Sequence, residues 1–146
     1  MRKWLKRGLL AAGGILIAIQ AVPVHHDNPP VSAEVEAPEE VRAILRRSCY
    51  DCHSHQARRP WYAYVAPSSW LVEHDVNEGR RHLNLSTWDR YDARARAHHI
   101  EEIGDEVQMG TMPLWYYLPL HPQARLSAQD KEILMHWTEE APAAEK

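Results

Sequence analysis

The stretch "RRSCYDCHSHQARRPW", residues 46–61, holds both cysteines of a 146-residue chain. Cys49 and Cys52 are separated by two residues, and His53 follows the second thiol directly. Four chemistries use such a pair. A structural zinc site needs four protein ligands, but no second cysteine pair exists, and His98 and His99 are adjacent rather than spaced. A thioredoxin-type dithiol belongs to a strand-to-helix turn in a βαβ unit, a pattern the flanking sequence lacks. A disulfide closing so small a loop is strained and gains little. Covalent haem attachment, C-x-x-C-H, accounts for all three residues together. Each thiol forms a thioether to one vinyl group of the haem edge, and the next residue brings its imidazole under the ring to bind iron.

A low-spin iron takes a second axial ligand on the opposite face. The segment "VQMGTMPLWYYLPLHP", residues 107–122, offers Met109 and Met112. Met112 is the expected distal ligand, because Gly110 stops the preceding helix and Pro113 stiffens the backbone just after it. Met109 is expected to complete a helical face as core filler. A His/Met pair raises the potential relative to two histidines; His74 and His82 are the rival distal ligands. Trp61, Tyr62, Tyr64, Trp115, Tyr116 and Tyr117 bracket the two ligand loops. Trp61, Tyr62 and Tyr116 are expected to wall the haem, with polar tips available to a propionate. The arginine pairs at 46/47, 58/59 and 80/81 are candidates to neutralise propionates, with none singled out.

Working outward, "MRKWLKR" carries four basic residues and no acid, and an apolar run broken only by Gln20 follows it. This is an export signal in outline. Residues 1–24 are expected to be retained as a membrane anchor, the alternative being a cleaved signal peptide that leaves a soluble protein. The positive end stays in the cytoplasm and the rest lies outside the membrane. Past that segment 17 − 4 = 13 basic residues face 20 acids, a formal charge of −7. This argues against nucleic acid, which needs a cationic surface, and suits a basic partner protein.

Residues 25–37 read as a linker punctuated by prolines. Residues 38–140 form one all-α domain, and 141–146 a tail. Its first helix starts at Pro38 and carries Val41, Ile44 and Leu45 on one face. The stretch 56–67 reads as a loop. A second helix, capped by Ser68 or Ser69 and carrying Trp70, Val72 and Val76, is expected to end near Gly79. A third, capped by Ser86 or Thr87, is expected over 89–109 with Ile100, Ile103 and Val107 inward. The last is announced by Ser127 and Asp130 at capping-box spacing and buries Ile133, Leu134 and Trp137. No stretch shows sustained β alternation.

Six blocks, "NPPV", "CYDCHSH", "PWYAYVAPSSWLVEHDV", "EGRRHLNLSTWDRY", "GTMPLWYYLPLHPQARLS" and the closing Trp137, occur in this order. Together they resemble the haem-binding domain family of c-type cytochromes, bacterial proteins that typically carry an N-terminal membrane segment. The resemblance implies a cytochrome c-like helical domain round one covalent haem c. It implies thioethers at Cys49 and Cys52, a proximal ligand at His53 and a distal ligand at Met112. One departure is visible: Leu114 stands where the family usually has a second proline.

The expected function is that of a monohaem carrier passing single electrons between redox partners in the periplasm or within a membrane redox complex. It is expected to be no enzyme. The rival is a haem enzyme or gas sensor with a displaceable distal ligand.

Overall fold

The computed structural model describes residues 2–141, and the stretch 56–67, read as a loop, contains a 3-10 turn at Trp61–Tyr64. The apolar N-terminal run forms α1 (Arg2–Ala18), extended by a 3-10 turn to Ala21. Together they are long and apolar enough to cross a membrane, and none of that span is buried by the rest of the chain. Next come α2 (Glu39–Ser48), the single turn α3 (Tyr50–His53), α4 (Ser68–His82), α5 (Ala93–Met109) and α6 (Ala128–Glu140). Among the described residues there is no strand, only an isolated bridge between Ala33 and Thr87. The domain is all-α.

In α2, Val41, Ile44, Leu45 and Ser48 form one buried stripe at helical spacing. Glu39 and Glu40 at its start and Arg46 and Arg47 at its end complement the helix dipole. In α6, Ser127 and Asp130 form the full capping box, with Asp130 N–H on Ser127 Oγ at 3.1 Å and Ser127 N–H on Asp130 Oδ2 at 2.8 Å. Leu134 is fully buried, while Ile133 and Trp137 are only partly covered. Gly110 ends α5 in the left-handed conformation at φ 72°.

Three boundaries differ from the expectation. Helix α4 begins at Ser68 after Pro67 with no side-chain cap, because the Ser68 hydroxyl donates to Tyr62 O and Val65 O, each at 2.7 Å. Helix α4 runs three residues past Gly79 to His82. Gly79 is a point of close approach instead of a stop: a Cβ there would sit 2.8 Å from the carbonyl oxygen of Cys52. Helix α5 starts at Ala93, capped by Asp92 whose carboxylate accepts from Ala95 N–H at 2.8 Å. Ser86 is not available as a cap, since its hydroxyl accepts from His55 N–H at 2.9 Å. The nearby Trp88 is buried in a separate 3-10 turn.

The core joins Val35, Val41, Ile44, Leu45, Tyr50, Leu85, Trp88, Val107 and Leu134. Val35 belongs to the stretch read as a linker, and its burial to 2% exposure shows that the strap from 28 to 35 is part of the domain. Asn28 Nδ2–H donates to Ala57 O at 2.9 Å, and Arg80 donates to Asp27 O and Asn28 Oδ1, each at 2.7 Å. Trp88 N–H donates to Ala33 O at 3.1 Å. Of the expected tail, residues 142–146 lie outside the described residues.

Candidate functional site

The break between α2 and α3 occurs at Cys49, and the N–H groups of Cys52 and His53 both return to its carbonyl, at 3.2 and 2.9 Å. One turn of chain therefore presents Cys49, Cys52 and His53 together. All three line a cavity of about 460 Å³, within the range of small-molecule and cofactor sites. Its apolar wall is continuous with the core, through Leu45, Leu85, Ile103 and Val107.

Both cysteines are free thiols. Burial pushes each of them up to about 12, the opposite direction from the depressed thiols of redox dithiols and thiolate metal sites. His53 Nδ1–H donates to Leu83 O at 3.1 Å, which fixes the tautomer and leaves Nε2 as the nitrogen with a free lone pair. Burial pushes its pKa down, so the ring is held neutral, the form that can ligate a metal.

Met112 lines the same cavity, from the loop after α5. That loop is held to the helix end. Thr111 N–H and Met112 N–H both donate to Glu106 O, at 3.1 and 3.3 Å, and the Thr111 hydroxyl donates to the same carbonyl at 3.0 Å. Met109 is 65% exposed at the end of α5. It is therefore not the core filler expected, because the helix's inner stripe ends at Val107.

The aromatic walls are placed differently from expectation. Trp61, Tyr62 and Tyr116 do not line the cavity, whereas Tyr117 does. Trp61 is 78% exposed, the Tyr62 hydroxyl bonds His121 Nε2, and the Tyr116 hydroxyl donates to Asp75 at 3.1 Å. Tyr117 stacks on His121 with centroids 3.9 Å apart and donates to Asp51 at 2.8 Å. Of the rival histidines, His82 reaches the cavity rim and His74 does not.

Among the described residues, no arginine or lysine lines the cavity. Arg59 bonds Glu73 at 3.2 Å, and Arg80 is spent on Ser54 O at 2.8 Å, Asp27 O and Asn28 Oδ1. The charged rim is acidic: Asp51, Asp75, Glu78, Glu102 and Glu106. Burial pushes the Asp75 carboxyl up. On the wall, Ser48 Oγ is buried without a hydrogen-bond partner.

Two histidines escaped the sequence reading. His55 Nδ1–H donates to Pro30 O at 2.9 Å while Nε2 accepts from Asn84 Nδ2–H at 2.8 Å, so it joins the strap to the "LNLSTW" block. His121 is buried to 8% exposure, and burial pushes its pKa down. A histidine depressed in the folded state is protonated first in the unfolded chain, so its stabilisation is complete above the ordinary value of about 6.5 and declines as pH falls below it. Thermal melting at pH 7 and pH 5 is expected to show a loss that His121→Gln reduces; an equally steep loss in the variant would refute this role.

A model described as "haem-binding domain" matches residues 14–140, nearly the whole chain. The chain belongs to this haem-binding domain family. The residues present suit the group: an apolar cavity, a neutral imidazole with one free nitrogen, a thioether, and a wall hydroxyl without a partner. As a member of the haem-binding domain family, the chain is also similar to a curated protein, cytochrome c peroxidase Ccp of Escherichia coli (strain K12). The two are 24% identical over 143 residues, covering 89% of this chain and 30% of the relative. The chain thus spans less than a third of that relative's length. No solved structure matches it significantly.

Proposed function

We propose that this haem-binding protein is a monohaem c-type cytochrome that carries single electrons outside the bacterial cytoplasmic membrane, held there by α1. The observation that carries the reading is the convergence of Cys49, Cys52, His53 and Met112 on one apolar cavity. Cys49 and Cys52 would hold haem c by thioethers, His53 would present Nε2 to the iron, and Met112 would present its sulfur. The haem supplies one-electron chemistry at iron.

The chain's own residues set the conditions. The Leu83 carbonyl orients the His53 ring, and Glu106 O anchors the loop that carries Met112. Leu45, Leu85, Ile103 and Val107 keep water from the cavity floor. The acidic rim favours a basic redox partner, steering encounter through charge complementarity. With no arginine or lysine on the wall among the described residues, propionates would rest on the Ser48 hydroxyl or on water, because the Tyr117 hydroxyl already donates to Asp51.

A pyridine haemochrome spectrum combined with intact mass tests attachment and count, with one haem per chain expected. Met112→Ala is expected to lose the weak long-wavelength sulfur-to-iron band and to gain CO binding. An unchanged spectrum would remove Met112 as the ligand.

A second reading is favoured by one observation, the similarity to the E. coli cytochrome c peroxidase Ccp. On that reading the distal position opens to peroxide. Hydrogen peroxide turnover by the unmodified protein, with CO binding to its ferrous form, would favour the enzyme over the carrier.

A further inference from the structure

We propose that a ledge of exposed side chains, Trp61, Tyr64, Val65, Trp70 and Leu71, seats on the outer surface of the lipid bilayer that α1 crosses. This rests on the reading of α1 as a retained anchor. The five side chains are between 38% and 78% exposed, and none lines the haem cavity.

The ledge is joined directly to the end of the membrane span. Gln20, in the 3-10 turn that closes the span, makes a two-bond amide pair with Ala66: Ala66 N–H donates to Gln20 Oε1 at 2.9 Å, and Gln20 Nε2–H to Ala66 O at 3.1 Å. Ala66 lies midway along the ledge segment, residues 61–71. The exit from the span is fixed to the same place, with the His26 ring 4.7 Å from that of Tyr64 in an edge contact and His26 Nδ1 3.1 Å from Glu73. Where Gln20 leaves the membrane, the ledge is therefore beside it.

Length, chemistry and charge all agree with a lipid occupant. The uncharged part of the span, residues 8–21, is 14 residues long, about 21 Å of helix against a hydrocarbon thickness of about 30 Å. A short span draws its flanking residues into the interface. Trp and Tyr are the side chains that favour headgroup depth. The exported part is acidic, yet residues 56–71 contain two arginines and no acid. Arg58 is 76% exposed, with Asp51 at 3.7 Å, and an exposed cation there favours anionic headgroups.

The test uses the full-length haem-loaded chain in nanodiscs of phosphatidylethanolamine and phosphatidylglycerol that carry a lipid with a photoreactive headgroup. Crosslinks are mapped by mass spectrometry. Label on residues 61–71 is expected several-fold above that on Met109, which is equally open to solvent but distant in sequence from the span. Label confined to residues 2–22 would overturn the seating while leaving the anchor intact. A purified chain whose mass lacks residues 2–21 would remove the anchor, and the seating with it. The two failures are distinguished by mass alone.

Discussion

Gly79→Ala is expected to destabilise the protein and to displace the turn that carries Cys49, Cys52 and His53. In an isolated helix the change would gain about 1 kcal/mol, because alanine is the better helix former. Here the new Cβ would lie 2.8 Å from Cys52 O, 3.1 Å from Cys52 C and 3.2 Å from Cys52 Cβ. Those atoms are backbone and first side-chain carbon, so no rotamer change relieves the clash. Overpacking of this kind costs about 1–3 kcal/mol or more, and with backbone as the obstacle the upper end applies. A net loss of about 2 kcal/mol is therefore expected, read by denaturant unfolding, with lower haem content in the purified protein. Gly104→Ala is the control: its Cβ would meet Thr138 Oγ1 at 2.7 Å, a side-chain clash relieved by turning χ1 at the cost of the Thr138 hydroxyl's bond to Met135 O, so its loss of stability should be smaller and its haem content unchanged. Equal losses in the two variants would show that contact with Cys52 is not what makes Gly79 special.

The second large effect concerns the thiols. Cys49→Ala combined with Cys52→Ala is expected to give a chain whose mass is that of bare polypeptide, with any remaining haem extracted by acidified organic solvent. The two single variants should each keep one thioether, with the pyridine haemochrome band displaced to longer wavelength because one vinyl group stays conjugated. Both cysteines line one cavity within a single turn, so each is within reach of the same cofactor edge. A tether holds its ligand at high effective concentration, so removing both should lower occupancy far more than removing either. Covalent haem persisting in the double variant would refute the attachment residues outright.

What the sequence made legible was whatever a local signal dictates. The stripe in α2, the Ser127 and Asp130 box and the Gly110 stop each depend on a few consecutive residues, and the structure has all of them. Met112 was distinguished from Met109 on backbone stiffness alone, and only Met112 reaches the cavity. The errors came where a residue answers to a distant partner. Gly79 looked like a helix stop because nothing nearby reveals that Cys52 passes against it. Tyr117 and Tyr116 are indistinguishable by composition; a turn places one on the cavity wall and the other beside Asp75. The prolines of the strap suggested a loose linker, but its partners, Arg80 and Ala57 among them, lie far along the chain. His55 and His121 carry no spacing signal at all.

The strap has a further consequence. With Asn28, Pro30 and Ala33 each bonded to the body of the domain, little slack chain remains between α1 and the haem-binding cavity. The protein resembles a lamp on a fixed bracket more than a buoy on a line. Under the function proposed above, its sweep over neighbouring proteins would be short, and a molecule exchanging electrons with it would have to come to the membrane at one height and one angle.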